Sequence, residues 1–181
     1  MTDLLVLHAL RCMGSTVVGR VAAATGLPES TVESELIDLA VAGLVTHTSG
    51  DFGGWSLTEA GKAEDDALVA SEVDDVRAAV TRCYKGFLVL NPELLDICAA
   101  WQTRFVDVLG VLTDFHGRAD AVLADLSAAL PRFARYRTRL GYAFDRVAAG
   151  HTAYLTDNLE SYHVVWFQLH EDLLATLGIP R

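Results

Sequence analysis

The sequence predicts a mostly α protein with a single two-stranded hairpin in its N-terminal third. Three observations carry this. Hydrophobic residues make up 51% of the 181 positions, enough to bury a core and too many for a disordered chain. They recur in sets spaced three and four apart, the period of helices with one buried face. The glycine-rich, strand-like pattern occurs once, in LVTHTSGDFGGWSLT. The length suits one compact domain or two small ones.

The first region runs to about residue 65. DLLVLHAL gives a helix through Leu4, Leu5, Leu7 and Leu10. STVVGRVAAATG gives the next, with Ser15 as its cap and Gly26 as its stop. After GLP comes a third helix, with Val32, Leu36, Leu39 and Leu44 on one side and Pro28 in its first turn, where a missing N–H costs nothing. Val45 and His47 then lie on one strand, Trp55 and Leu57 on the other, and Gly50, Gly53 and Gly54 supply the turn. Thr58 caps the helix opened by LTEAGKAED. From about residue 66 onward the sequence predicts helices only: a long one over about 67–88, a break at Asn91-Pro92, and a second to about Phe115. HGRAD is a turn, AVLADLSAAL a short helix. Pro131 opens a fourth helix ending near Gly150, and a fifth runs from about Asn158 to Leu177, stopped by Gly178-Ile179-Pro180. One apolar stripe on helices this long must pack on another helix or on a second subunit.

The order helix, helix, turn, helix, two-stranded wing is that of a winged helix-turn-helix. Ala22, Thr25-Gly26-Leu27, Ser30-Thr31-Val32, Leu36, Leu39, Ala42-Gly43-Leu44-Val45 and Leu57-Thr58 with Gly61 resemble a MarR-like winged-helix transcriptional regulator over roughly the first third of the chain. The expected architecture is thus a winged helix-turn-helix with a two-stranded wing (1–65), followed by an all-α helical domain for dimerisation or ligand binding (66–181). The segments YKGFLVLNPELLDICAAWQTRF and SYHVVWFQLHEDLLATLG are similar to helical segments found alongside phosphoenolpyruvate-utilising, pyruvate phosphate dikinase-like enzymes. That similarity implies a link to such metabolism. No phosphate loop of the G-x-x-x-x-G-K-[ST] kind accompanies it.

In such regulators the helix after the turn enters the major groove. Here its early positions are Glu29, Ser30, Glu33 and Ser34, with Phe52 on the wing. Serine can bond to most bases and Glu can accept from a cytosine amino group. Affinity, however, comes mostly from Lys and Arg on phosphates, and none occurs between Pro28 and Val45. Residues 1–65 hold three bases against nine acids, and the whole chain carries −10. The fold invites DNA while the charge repels it. The sequence therefore leaves two readings open. One is a homodimeric, cytoplasmic, MarR-like regulator. The other is a non-DNA module docking on a partner protein, such as a phosphoenolpyruvate-utilising enzyme, with Phe52 as an apolar anchor.

The second region gathers its bases. Arg132, Arg135, Arg139 and Arg146 form one strip beside Phe133, Tyr136, Leu140, Phe144 and Val147, and Arg137 points the other way. Guanidinium groups beside an apolar wall suit a small anionic metabolite; pairing with Asp107, Asp114 or Glu171 is the structural alternative. His163 and His170 share a face of the last helix, and His116 projects inward on its own. Seven residues place His163 and His170 about 10.5 Å apart along the axis, too far to share one metal. The sequence thus predicts an anion pocket of Arg132, Arg135, Arg139 with His163 or His170, no metal and no cofactor. Enzyme signatures are thin: no G-x-S-x-G elbow is present, and no catalytic residue is assigned. Cys83, between Arg82 and Lys85, is the one candidate reactive thiol, against the plainer alternative that it packs inward. Three widely spaced cysteines suit a reduced compartment. The N-terminus fits neither a signal peptide nor a membrane span.

Overall fold

The structure is a computed structural model that describes residues 2–50, 53–104 and 108–180. The chain is mostly helical with one two-stranded antiparallel sheet. In order the elements are α1 (Thr2–Met13), α2 (Val18–Thr25), α3 (Glu29–Val41), β1 (Val45–Thr48), β2 (Gly54–Leu57), α4 (Glu59–Val73), α5 (Arg77–Arg104), α6 (Leu109–Ala129), a 3-10 turn at Pro131–Phe133, α7 (Ala134–Ala148), α8 (Ala153–Thr156) and α9 (Tyr162–Leu177). The chain forms two compact units, one of residues 1–75 with 171–181 and one of residues 76–170. Helix α9 gives its beginning to the second unit and everything from Glu171 onward to the first.

In the first unit Val6, Leu7 and Leu10 of α1, Val21 of α2, and Val32, Leu36 and Leu39 of α3 close one core with Val45. Gly26 ends α2 in the left-handed region at φ 76°, its N–H on the Ala22 carbonyl. Ser15 does not cap α2; Val17 stands at the cap position, without a side-chain bond. Thr16 is instead drawn into the sheet, exchanging backbone bonds of 3.0 and 2.8 Å with Trp55. Pro28 is the cap residue of α3 rather than its first helical residue. The strands pair Val45 with Leu57 and His47 with Trp55, as the alternation implies. The Thr58 hydroxyl accepts from Gly61 N–H and donates to the Gly43 carbonyl at 2.7 Å, tying α4 to the end of α3.

In the second unit α5 packs on α6 and α6 on α7. Phe87, Phe115, Tyr162 and Trp166 form a buried aromatic cluster, with Phe87 and Trp166 stacked at 4.6 Å. Four expected boundaries are corrected. The long helix expected over about 67–88 is two helices, interrupted at 74–76, where Asp74 and Asp75 separate α4 from α5. No break occurs at Asn91-Pro92. Pro92 lies inside α5 on its exposed side, one turn past exposed Leu88, where water can serve the carbonyl that a proline cannot. Asn91 meanwhile accepts from Trp166 Nε1 at 3.0 Å. HGRAD is helical within α6, because buried Leu112, Phe115, Ala119, Leu123 and Leu126 keep the helical period across it. A lone glycine costs only about 1 kcal/mol against that packing. Finally, the segment from Asn158 turns before α9 begins: the Asn158 side chain accepts from Glu160 N–H at 2.8 Å, and the buried Ser161 hydroxyl accepts from Val164 N–H. One face of α5 shows Leu88, Val89 and Leu95 to solvent, flanked by exposed Lys85 and Asp96. Among the described residues no helix is long and apolar enough to cross a membrane.

Candidate functional site

Helix α3 is presented by the turn before it. Thr25 bonds the Val21 carbonyl and accepts from Leu27 N–H, which fixes the exit from α2. With Val32, Leu36 and Leu39 buried, the opposite side of α3 must face out. Glu29, Ser30, Glu33, Ser34, Ile37, Asp38 and Val41 are all exposed, Ile37 at 52% and Val41 at 86%. This surface joins large apolar side chains to acids. Partial burial, and then the nearby carboxylates of Asp3 and Asp38, hold the Glu35 carboxyl above its usual range. The bases of this region are few and partly engaged: Lys62 contacts Glu59 at 2.7 Å and Arg11 contacts Asp66 at 3.8 Å. Phe52 and Asp51 lie outside the described residues.

The arginine strip of α7 meets partners within the second unit. Arg139 donates from Nε to Glu160 at 2.9 Å and from Nη2 to Gln168 Oε1 at 2.8 Å. Arg132 lies over the Phe133 ring at 4.5 Å, Arg135 over Tyr136 at 5.0 Å and Arg146 over Tyr154 at 5.2 Å. Glu160 is the acid that meets Arg139; of the acids suggested from sequence, Asp114 binds Arg118, and Asp107 lies outside the described residues. Arg137 does point away, onto Asp120. His170 packs at a tilt against Phe87 at 5.0 Å, and His163 is half-buried on the same helix. A small anion beside Arg139 would have to displace Glu160.

A third constellation escaped the sequence reading. His8 of α1 is buried, and its Nδ1 donates to both oxygens of Asp65 on α4, at 3.0 and 3.1 Å. Its Nε2 faces Asp172 Oδ1 at 3.0 Å, and Asp172 accepts from Thr176 Oγ1 at 3.0 Å. All lie within the first unit. Burial alone pulls the imidazole pKa down. Electrostatic interaction with the neighbouring Cys12 and Asp172, with hydrogen bonds to both carboxylates, overrides it and holds the pKa well above 6.5. Two ring nitrogens donating at once describe an imidazolium. The one available signal was a polar residue, His8, inside an otherwise apolar helical run.

All three cysteines are free. Cys83 is not activated: burial and Asp125 raise its pKa more than Arg82 lowers it. Burial pushes the Cys98 thiol up to about 11. Set against known proteins, no family model, no curated protein and no solved structure matches the chain.

Proposed function

We propose that the first unit is a winged helix-turn-helix adapted to protein docking, and that α3 is its docking face. The observation that carries this is the exposed side of α3, where Ile37 and Val41 stand among Glu29, Glu33 and Asp38 without a base between Pro28 and Val45. The sequence of residues 1–75 and 171–181 holds four bases against fifteen acids. A phosphate backbone repels such a surface, while a partner with an apolar pocket rimmed by Lys or Arg complements it. The resemblance of the C-terminal segments makes a phosphoenolpyruvate-utilising enzyme the first partner to test. We further propose that the chain pairs with itself along α5. Leu88, Val89 and Leu95 are exposed there, and an antiparallel two-fold pairing would set Lys85 of each copy opposite Asp96 of the other.

The rival reading is the MarR-like transcriptional regulator. What favours it is element order, with Glu29, Ser30, Glu33 and Ser34 exposed on the helix after the turn. Titration of random-sequence duplex at low salt separates the two. The docking reading expects no binding. Binding that weakens as salt rises, as cation–phosphate contacts require, would restore the regulator. With the enzyme as bait, Ile37→Asp together with Val41→Asp should abolish capture; capture of neither protein would remove the docking reading.

A further inference from the structure

We propose that His8, Cys12 and Asp172 form a zinc site. His8 and Cys12 are one turn apart on α1, so both side chains leave the helix on one face. A donor atom from each of the three residues lies within 4.8 Å of the other two, and all three residues are buried. Imidazole nitrogen, thiolate sulfur and carboxylate oxygen are donors zinc takes together, at about 2.0–2.3 Å each. Tetrahedral geometry at those bond lengths sets the donors on the order of 3.5 Å apart. The three donors now lie within 4.8 Å of one another, with His8 Nε2 and Asp172 Oδ1 at 3.0 Å, so that pair would open slightly and the cluster needs only small shifts to reach that.

Asp65 supplies the second, independent observation. Both its oxygens engage His8 Nδ1, on the far side of the ring from Asp172. A carboxylate on the outer nitrogen is how proteins orient a zinc-bound histidine and fix which nitrogen meets the ion. Asp65 is thus a positioning residue, and Nε2 is the ligand atom. Thr176 holds the Asp172 carboxylate in turn. Loading replaces two protons, one from His8 Nε2 and one from Cys12 Sγ, and both leave to solvent. The fourth position falls to a water or to the second Asp172 oxygen. A thiolate among the donors selects zinc over magnesium or calcium.

The test uses the full chain, stripped of metal, with cobalt(II) as the spectroscopic probe. The expected result is one equivalent bound, with intense tetrahedral ligand-field bands and a thiolate-to-cobalt charge-transfer band, both removed by zinc. Cys12→Ser should lose the charge-transfer band. If that variant does not fold, Cys83→Ser with Cys98→Ser serves instead, and the band should persist in it. Zinc should also raise the unfolding temperature of the wild-type chain, and proton release on loading should approach two. A folded wild-type chain that gives no such spectrum, or one whose band survives Cys12→Ser, overturns the site.

Discussion

His116 shows what one half-buried side chain contributes. Its ring stacks on Phe144 at 4.4 Å, and its Nδ1 lies 3.0 Å from the Tyr162 hydroxyl. Burial lowers its pKa below 6.5, against the weaker upward pull of Asp120 and Asp145. A histidine depressed in the folded state stays neutral there while the unfolded chain takes up its proton. Its contribution is therefore complete above the unfolded pKa and is lost as pH falls from there toward the folded value. Urea unfolding measured across that window should show stability declining with acid. His116→Phe keeps the stacking but should flatten this part of the profile; an unchanged profile would place the titration elsewhere. That His116 projects inward was legible from its place on an apolar stripe. Its partner was not, because Tyr162 is distant in sequence and nothing local brings the two together.

At the scale of elements, Gly61 of α4 lies in close contact with the backbone just after α3. A Cβ on Gly61 would stand 1.9 Å from the Leu44 carbonyl oxygen and 2.9 Å from its carbon. Both are backbone atoms that cannot swing aside. Gly→Ala within a helix normally stabilises by about 0.4–1 kcal/mol. Here the sign reverses, and Gly61→Ala should destabilise by about 1–3 kcal/mol, read from the denaturant midpoint. A midpoint that rises would mean this contact yields easily. The pattern of Thr58 followed by Gly61 was visible in sequence because caps and close approaches leave local marks. So were Gly26 and the hairpin. The break at 74–76 was missed because Asp74-Asp75-Val76 holds no proline or glycine to mark it, and those expected at 91–92 and in HGRAD were misplaced because proline and glycine were weighed without the packing. Pro92 costs little on a solvent face, and Gly117 of HGRAD is carried by the buried residues on either side. His8, Asp65 and Asp172 were missed for a different reason. Each looks unremarkable in its own segment, and only the folded chain brings them within hydrogen-bonding distance.

Across the whole molecule, charge is unevenly shared. Residues 76–170 carry ten bases against nine acids, a net +1, so the first unit carries −11 and accounts for more than the whole net charge of −10. A near-neutral unit with an exposed apolar stripe is the better place for two like-charged copies to meet. Val89→Lys, at a position 67% exposed, should weaken self-association by roughly tenfold or more without loss of helix, as read by sedimentation and circular dichroism. A wild-type chain that sediments as a monomer would end the self-pairing proposal. The buried carboxylate on α9 has a consequence for how the protein is made. Asp172 leaves the ribosome long after His8 and Asp65, so the earliest-synthesised helices cannot complete their innermost polar contacts during translation. They must wait, partly open, for the tail of the chain to return and lock them.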